Sequence, residues 1–233
     1  MGGTVLDELK RKFIQCFIQE DRYMLLLNGL RNTLVITLFA ALLGILIGFI
    51  VAIIRSTADR TGKLKIADVL CRIYLTVIRG TPTMIQLLIM FFVIMSNSNN
   101  KIMIAIMTFA INSGAYVAEI VRSGIMSIDI GQFEAGRSLG FTYVSTMYHI
   151  ILPQAFKNVL PALMNEFITL LKETSICGYI GLMDLTRGGD IIRSRTYEAM
   201  LPLFAVALIY LVIVMILTAL VNRLERRLRT SDR

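Results

Sequence analysis

The chain is predicted to be an all-α integral membrane protein with about five transmembrane helices and a short polar helix between the third and the fourth. Three observations predict this. Hydrophobic residues make up 56% and charged residues only 17% of the 233 positions, a balance far from that of a soluble domain. Mean hydropathy is +0.70. Uninterrupted apolar runs of about twenty residues recur, the length needed to cross a bilayer core and more than a globular core holds.

The first 28 residues carry a mixed charge run from Asp7 to Lys12. They lack a compact apolar region with a small-residue cleavage site, so they do not read as a removable signal peptide. An amphipathic helix on the membrane surface is the expectation. The first span, Thr33 to Ile54, has Thr33 and Thr37 as its only polar side chains, and at 1.5 Å per residue it reaches about 33 Å. Within it Gly44 and Gly48 form a GxxxG pattern that permits close helix packing. The second span, about Ile66 to Met95, is interrupted by Arg79-Gly80-Thr81-Pro82. The third runs from about Ile102 to Ile125, the fourth from about His149 to Leu171 and the fifth from about Met200 to Asn222. No segment has the composition of a linker between domains, and 1–233 reads as one domain.

An odd number of spans places the two ends on opposite sides. Basic residues occur on both: Arg55, Arg60, Lys63 and Lys65 in the first loop, Arg223 to Arg233 in the tail at 222–233, but also Lys10 to Lys12, Arg22, Lys172, Arg187, Arg193 and Arg195. The latter group is balanced by acids, whereas the first loop and the tail stay net positive. The first loop, the polar region 131–148 and the C-terminus are therefore expected in the cytoplasm, and residues 1–28 outside it. The same rule accounts for the net charge of +8 without nucleic acid. Cys16, Cys71 and Cys177 form no CxxC pair, so neither a metal site nor a disulfide framework is indicated. There is no GxxxxGK[ST] phosphate loop, HExxH or GxSxG, and His149 is the single histidine, so no catalytic residue is named.

The region between the third and fourth spans holds Gly131-Gln132, then Glu134-Ala135-Gly136, Gly140, and Ile150-Ile151-Leu152-Pro153. It resembles the EAA motif of permease subunits of binding-protein-dependent ABC importers, with nine residues between Gly140 and Ile150 and Gly136 in place of the second alanine. Arg79-Gly80-Thr81-Pro82 with Gln86, Ala115 to Ile120 with Arg122 to Ile125, and Asn165 to Ile168 with Lys172 to Ser175 are similar to the polar amino-acid branch of that family, which handles histidine, glutamine, arginine and their like. The similarity covers nearly the whole chain.

The resemblance implies a subunit that moves an amino acid by alternating access in a bacterial cell membrane. Gln132, Glu134, Ala135, Gly136 and Gly140 would form a coupling helix that docks on a partner ATPase. Two such ATPases, a second permease subunit (a copy or a paralogue) and an extracytoplasmic amino-acid-binding protein are the implied partners. This chain would bind no cofactor, with ATP and Mg held by the ATPase. Locally, Glu134 is expected in the first turn of the short helix, where a carboxylate is favoured, with glycines turning the chain at both ends.

The transport path also follows from the residues. Thr108, Asn112, Tyr116, Glu119 and Ser123 recur at helical spacing on one face of the third span. Asn158, Asn165, Thr169 and Lys172 form a second stripe, with Glu166 beside it. Charged groups at mid-depth are costly and face protein, water or substrate. Thr81, Gln86, Asn112, Ser113, Tyr116, Asn165 and Glu166 are the pathway candidates, with Glu166 for an ammonium group. An ion pair of Glu166 with Arg79 is the alternative, and Glu119 reads as a structural ion-pair partner. Pro161 and the Gly80/Pro82 pair are expected to loosen two helices at that level. An ion-gradient-driven transporter would account for the intramembrane carboxylates but not for the EAA island; a non-transporting scaffold or receptor subunit is the remaining alternative.

Overall fold

The computed structural model describes residues 5–230; Arg233 of the predicted basic tail lies outside them. Every regular element among the described residues is helical. Helix α1, Val5–Phe13, passes through a π turn at Ile14–Ile18 and a 3₁₀ turn at Gln19–Asp21 into α2, Tyr23–Thr61. α1 exposes Val5, Leu6, Leu9 and Phe13 along one side, with Lys10, Arg11 and Lys12 in its last turn, the amphipathic form expected of an interfacial helix. α2 is longer than the first predicted span at both ends, and its 39 residues extend about 58 Å. Gly62 ends it in the left-handed conformation at φ 67° and bonds back to the Ala58 carbonyl.

The second predicted span is two helices. α3, Lys65–Gly80, and α4, Thr83–Ile89, extended by a π turn to Ile94, meet at a bend of 107°. Gly80, Thr81 and Pro82 cause the bend, since proline offers no N–H and disfavours helical geometry in the residue before it. α5, Lys101–Met126, is capped by the Asn100 side chain, which accepts from the Met103 amide at 3.0 Å. After it come α6, Ile130–Ser138, and α7, Tyr143–Thr146, which runs through a π turn at Met147–Ile151 into α8, Leu152–Glu173. Pro161 lies inside α8 without breaking it, contrary to the loosening expected there. A 3₁₀ segment, Thr174–Ile180, then leads to α9, Leu185–Thr196, and α10, Met200–Thr230.

Among the described residues α2, α5 and α10 are each long and apolar enough to cross a membrane, and the bent α3–α4 pair is a fourth if its two helices count as one span, against the five spans expected. α8, the fourth predicted span, is not among them, because Lys157, Asn158, Asn165, Glu166 and Lys172 make it too polar by composition. α5 is the structural centre, with Phe109, Ala115, Val117 and Val121 wholly or almost wholly buried against α2, α3 and α8. Its closest partner is α2. A Cβ on Gly44 would lie 3.2 Å from the Ser113 side chain, and one on Gly48 would overlap Val117. The GxxxG pattern thus sets the α2–α5 approach. The three cysteines are buried and free.

Candidate functional site

At mid-length on α5, Asn112 and Ser113 are only 1% exposed, yet both side chains are used. Asn112 Nδ2 donates to Gln86 Oε1 at 2.9 Å, and Gln86 Nε2 donates in turn to the Ile78 carbonyl at 2.7 Å and to Thr81 Oγ1 at 2.9 Å. Gln86 therefore bridges the α3–α4 bend and satisfies a carbonyl freed by it. On the other flank, Ser113 Oγ donates to Glu166 Oε1 at 2.8 Å. The result is a polar ladder across four helices, from Thr81 through Gln86 and Asn112 to Ser113 and Glu166. Asn165 is exposed beside it on α8, and Tyr116 stands one turn along α5. Thr108, predicted on the same stripe, is buried and bonds the Ile104 carbonyl of its own helix.

Toward the α6 end lies an ion-pair cluster. Arg55 Nη1 reaches Glu119 Oε1 at 2.6 Å and Arg55 Nε lies 3.6 Å from Asp68 Oδ1. Arg72 holds Asp68 at 2.8 Å and Asp59 at 3.3 Å, and Arg122 holds Asp59 at 3.2 Å. Arg79 pairs with Glu119 at 3.7 Å and lies 5.7 Å from the Tyr116 ring centroid. Arg55 is thus the nearest cation to Glu119. Arg79 does not pair with Glu166; Glu119 is the acid it meets. Sequence reasoning missed Arg55, Asp59 and Asp68; only the Asp68/Arg72 i,i+4 spacing was legible. A cavity of about 670 Å³ beside this cluster is lined by Glu119, Ser123, Ser127 and Asn158.

The motif region folds as α6. Asp129, not Glu134, caps its start, accepting from the Gly131 amide at 2.6 Å. Glu134 sits mid-helix and Gly131 lies within the helix rather than before it, a correction to both expectations. The end matches expectation. Gly140 is left-handed at φ 81°, its N–H bonds the Arg137 carbonyl at 2.9 Å, and the Phe141 N–H bonds that of Gly136 at 3.0 Å. That pair of bonds is a Schellman cap. Gly136 is buried, and a Cβ there would lie 2.7 Å from Thr146 Oγ1, which explains glycine where the motif has alanine. Gln132, Glu134 and Ala135 are exposed, as are the apolar Ile130, Leu139 and Val144 around them. Among the described residues no group of His, Cys, Asp and Glu is arranged to hold a metal ion.

Residues 44–230 match the family of binding-protein-dependent transport system inner membrane components. The chain is similar to the arginine transport system permease protein ArtQ of Bacillus subtilis (strain 168), with 39% identity covering 89% of this chain and 94% of that protein. It is also similar to the glutamine transport system permease protein GlnP of Escherichia coli (strain K12), with 35% identity covering 88% and 93%. A solved structure of an amino acid ABC transporter with histidines superposes at a TM-score of 0.80 and 39% identity, covering 97% of this chain and all of that one. Inward-facing MetNI methionine transporter structures share the fold at a TM-score of 0.76 and 21% identity.

Proposed function

The chain belongs to the family of binding-protein-dependent transport system inner membrane components, and from that premise we propose that it carries an α-amino acid along the Thr81–Glu166 ladder. It is a multi-pass membrane permease subunit of an ABC importer, a class that works with ATPase and binding-protein partners. The observation that carries the substrate reading is the polar ladder at mid-length of the helices, where side chains facing lipid would be costly. In it Asn112, Ser113 and backbone amides loosened at the α3–α4 bend offer hydrogen-bonding groups for a carboxylate, and Glu166 offers a carboxylate for an ammonium. The relatives' arginine, glutamine and histidine ligands share those two features of the α-amino acid.

In this reading α6 is the coupling helix. Gln132, Glu134 and Ala135 face the ATPase, with Ile130, Leu139 and Val144 as apolar anchors, while Gly136 and Gly140 fix its seat and its end. Two ATPases bind ATP and Mg, and a second permease subunit completes the membrane pathway, which alternates between outward- and inward-facing as the ATPases close and open. The α6 side and the C-terminus lie in the cytoplasm of a bacterial cell, and α1 lies on the outer surface.

The test is reconstitution of the chain with its ATPase and binding protein in liposomes, with ATPase activity measured against a panel of amino acids. Stimulation by basic or polar amino acids is expected. Turnover that no amino acid changes would refute the substrate assignment.

A further inference from the structure

Helix α3 carries an apolar stripe on its outer side. Ile66, Val69, Leu70, Ile73 and Val77 recur at helical spacing and are all exposed among the described residues. About 120° round the helix, at 3.6 residues per turn, runs a row of cations seven residues apart, Lys65, Arg72 and Arg79. Thr76 stands between the row and the stripe.

Arg72 and Arg79 line a cavity of about 480 Å³ with Thr76, Gly80 and, from α2, Arg55. Among the described residues Glu119 is the one acid on its wall, so three guanidinium groups face one carboxylate. The ion pairs do not exhaust them. Arg55 Nη1 takes Glu119 at 2.6 Å, but its Nε is buried without a hydrogen-bond partner, 3.6 Å from Asp68 Oδ1. Leaving such a donor unbonded is costly. Arg79 meets Glu119 only at 3.7 Å, with its side chain 44% exposed. There is room beside it, since a Cβ on Gly80 would meet nothing within 4 Å.

The cavity lies toward the α6 end of the bundle. Glu119 is about 10 Å short of the end of α5 at Met126, and Arg55 about 9 Å short of the end of α2 at Thr61. From that depth an arginine side chain extends to the headgroup level of a bilayer.

We propose that this cavity holds the phosphate of an anionic phospholipid whose acyl chains lie along the apolar stripe of α3. Guanidinium groups match phosphate oxygens two at a time, and the Thr76 hydroxyl adds a donor. Basic pockets between membrane helices take such headgroups. A second protein chain would cover the stripe equally well, but the charge beside it selects an anion with a hydrocarbon tail. A zwitterionic lipid has the same phosphate but carries a cation that the arginines oppose. The inference rests on the chain crossing a membrane and not on the solute it carries.

The experiment uses the permease–ATPase complex in nonionic detergent, titrated with phosphatidylglycerol or phosphatidylcholine of identical acyl chains, with bound lipid counted by native mass spectrometry. The wild type is expected to bind phosphatidylglycerol about tenfold or more tightly, the equivalent of one charge-assisted hydrogen bond. Arg79→Gln should lower that ratio several-fold with phosphatidylcholine binding unchanged. Gly80→Glu, which puts an acid on the cavity wall and keeps every arginine, should do the same, and serves where the arginine variant does not assemble. Lys63→Gln removes a cation outside the cavity and should leave the ratio as it is. Inorganic phosphate at the lipid's own concentration should not displace phosphatidylglycerol; displacement would make this a site for free anions and overturn the lipid assignment. Equal affinities in the wild type, the result if a second permease subunit covers α3, would also overturn it. So would an unchanged ratio in both Arg79→Gln and Gly80→Glu, or the same loss in Lys63→Gln. No amino acid enters the measurement, so its failure leaves the substrate reading untouched.

Discussion

Ser113 Oγ donates to Glu166 Oε1 at 2.8 Å, joining the middle of α5 to the middle of α8. Ser113 is 1% exposed, so the bond orients the carboxylate from a fixed base. On the proposed reading the second oxygen of Glu166 is the one that meets a substrate's ammonium, at a place set by two residues 53 positions apart.

Glu166→Gln tests that assignment. The amide oxygen still accepts from Ser113, so the α5–α8 link survives, but the negative charge is gone. Losing a charge-assisted bond of about 1.5–3 kcal/mol predicts a rise of at least about tenfold in the amino-acid concentration that half-saturates stimulated ATPase activity. Basal ATPase activity should change less. Unchanged half-saturation across the amino-acid panel would make Glu166 a purely structural residue.

Gly140→Asp tests the turn behind α6. At φ 81° with nothing within 4 Å of an added Cβ, the obstacle is conformational and not steric. A left-handed backbone costs an L-residue about 1–2 kcal/mol, less for asparagine and aspartate, which visit that region more readily, so the two variants differ chiefly in charge. Gly140→Asp should insert normally, yet lose transport and co-purification of the ATPase, because the strained turn and an added charge misplace α6. Gly140→Asn should fall between it and wild type. Full transport by Gly140→Asp would refute docking through this turn.

Gly136→Ala probes a clash where Gly140 probes a conformation. The new methyl would meet Thr146 Oγ1 and Cγ2 at 2.7 Å and Thr146 Cβ at 3.2 Å. The single substitution should lower thermal stability and ATPase coupling. Thr146→Ala should recover part of the loss by removing the two nearer atoms, giving the non-additivity expected of residues in contact. Additive effects in the four-variant cycle would show that α6 does not seat on Thr146.

What could be read before the structure follows from the range of each interaction. Spans, the α3–α4 break at Gly80-Pro82 and the Gly140 turn are written in local runs of residues. So is the α5 stripe that contains Asn112 and Tyr116. Glu134 lies mid-helix and not in the first turn because α6 starts earlier, at Ile130, behind the Asp129 cap. Pro161 lies inside α8 without ending it, and local propensity does not register the ways a membrane helix re-satisfies the backbone group that proline frees. The Arg55–Glu119 pair spans 64 positions and exists only because Gly44 and Gly48 let α2 approach α5; nothing at either end announces it. The Gln86 bridge likewise depends on a bend angle that a proline foretells only in kind.

Asp184 supplies a test of the opposite end of the fold, away from α6. It caps α9, accepting from the Arg187 amide at 2.6 Å, and is completely buried. Around it Asn32 donates to the Met183 carbonyl at 2.7 Å and the Leu185 amide to Thr33 Oγ1 at 3.2 Å. Burial outweighs the amide bonds and pushes the carboxyl up from 3.8 to about 6. The native state therefore holds the proton more tightly than the unfolded chain. The stabilisation is complete below about pH 4 and is lost as pH rises through about 6. Asp184→Asn keeps an acceptor for the Arg187 amide but never ionises. Between pH 4 and 7 the wild type should lose more thermal stability than the variant, and at pH 7 the variant should melt higher. The measurement is Tm of both proteins in detergent across that range. Parallel curves would show that Asp184 is ionised in the folded protein throughout, with its charge held by the cap.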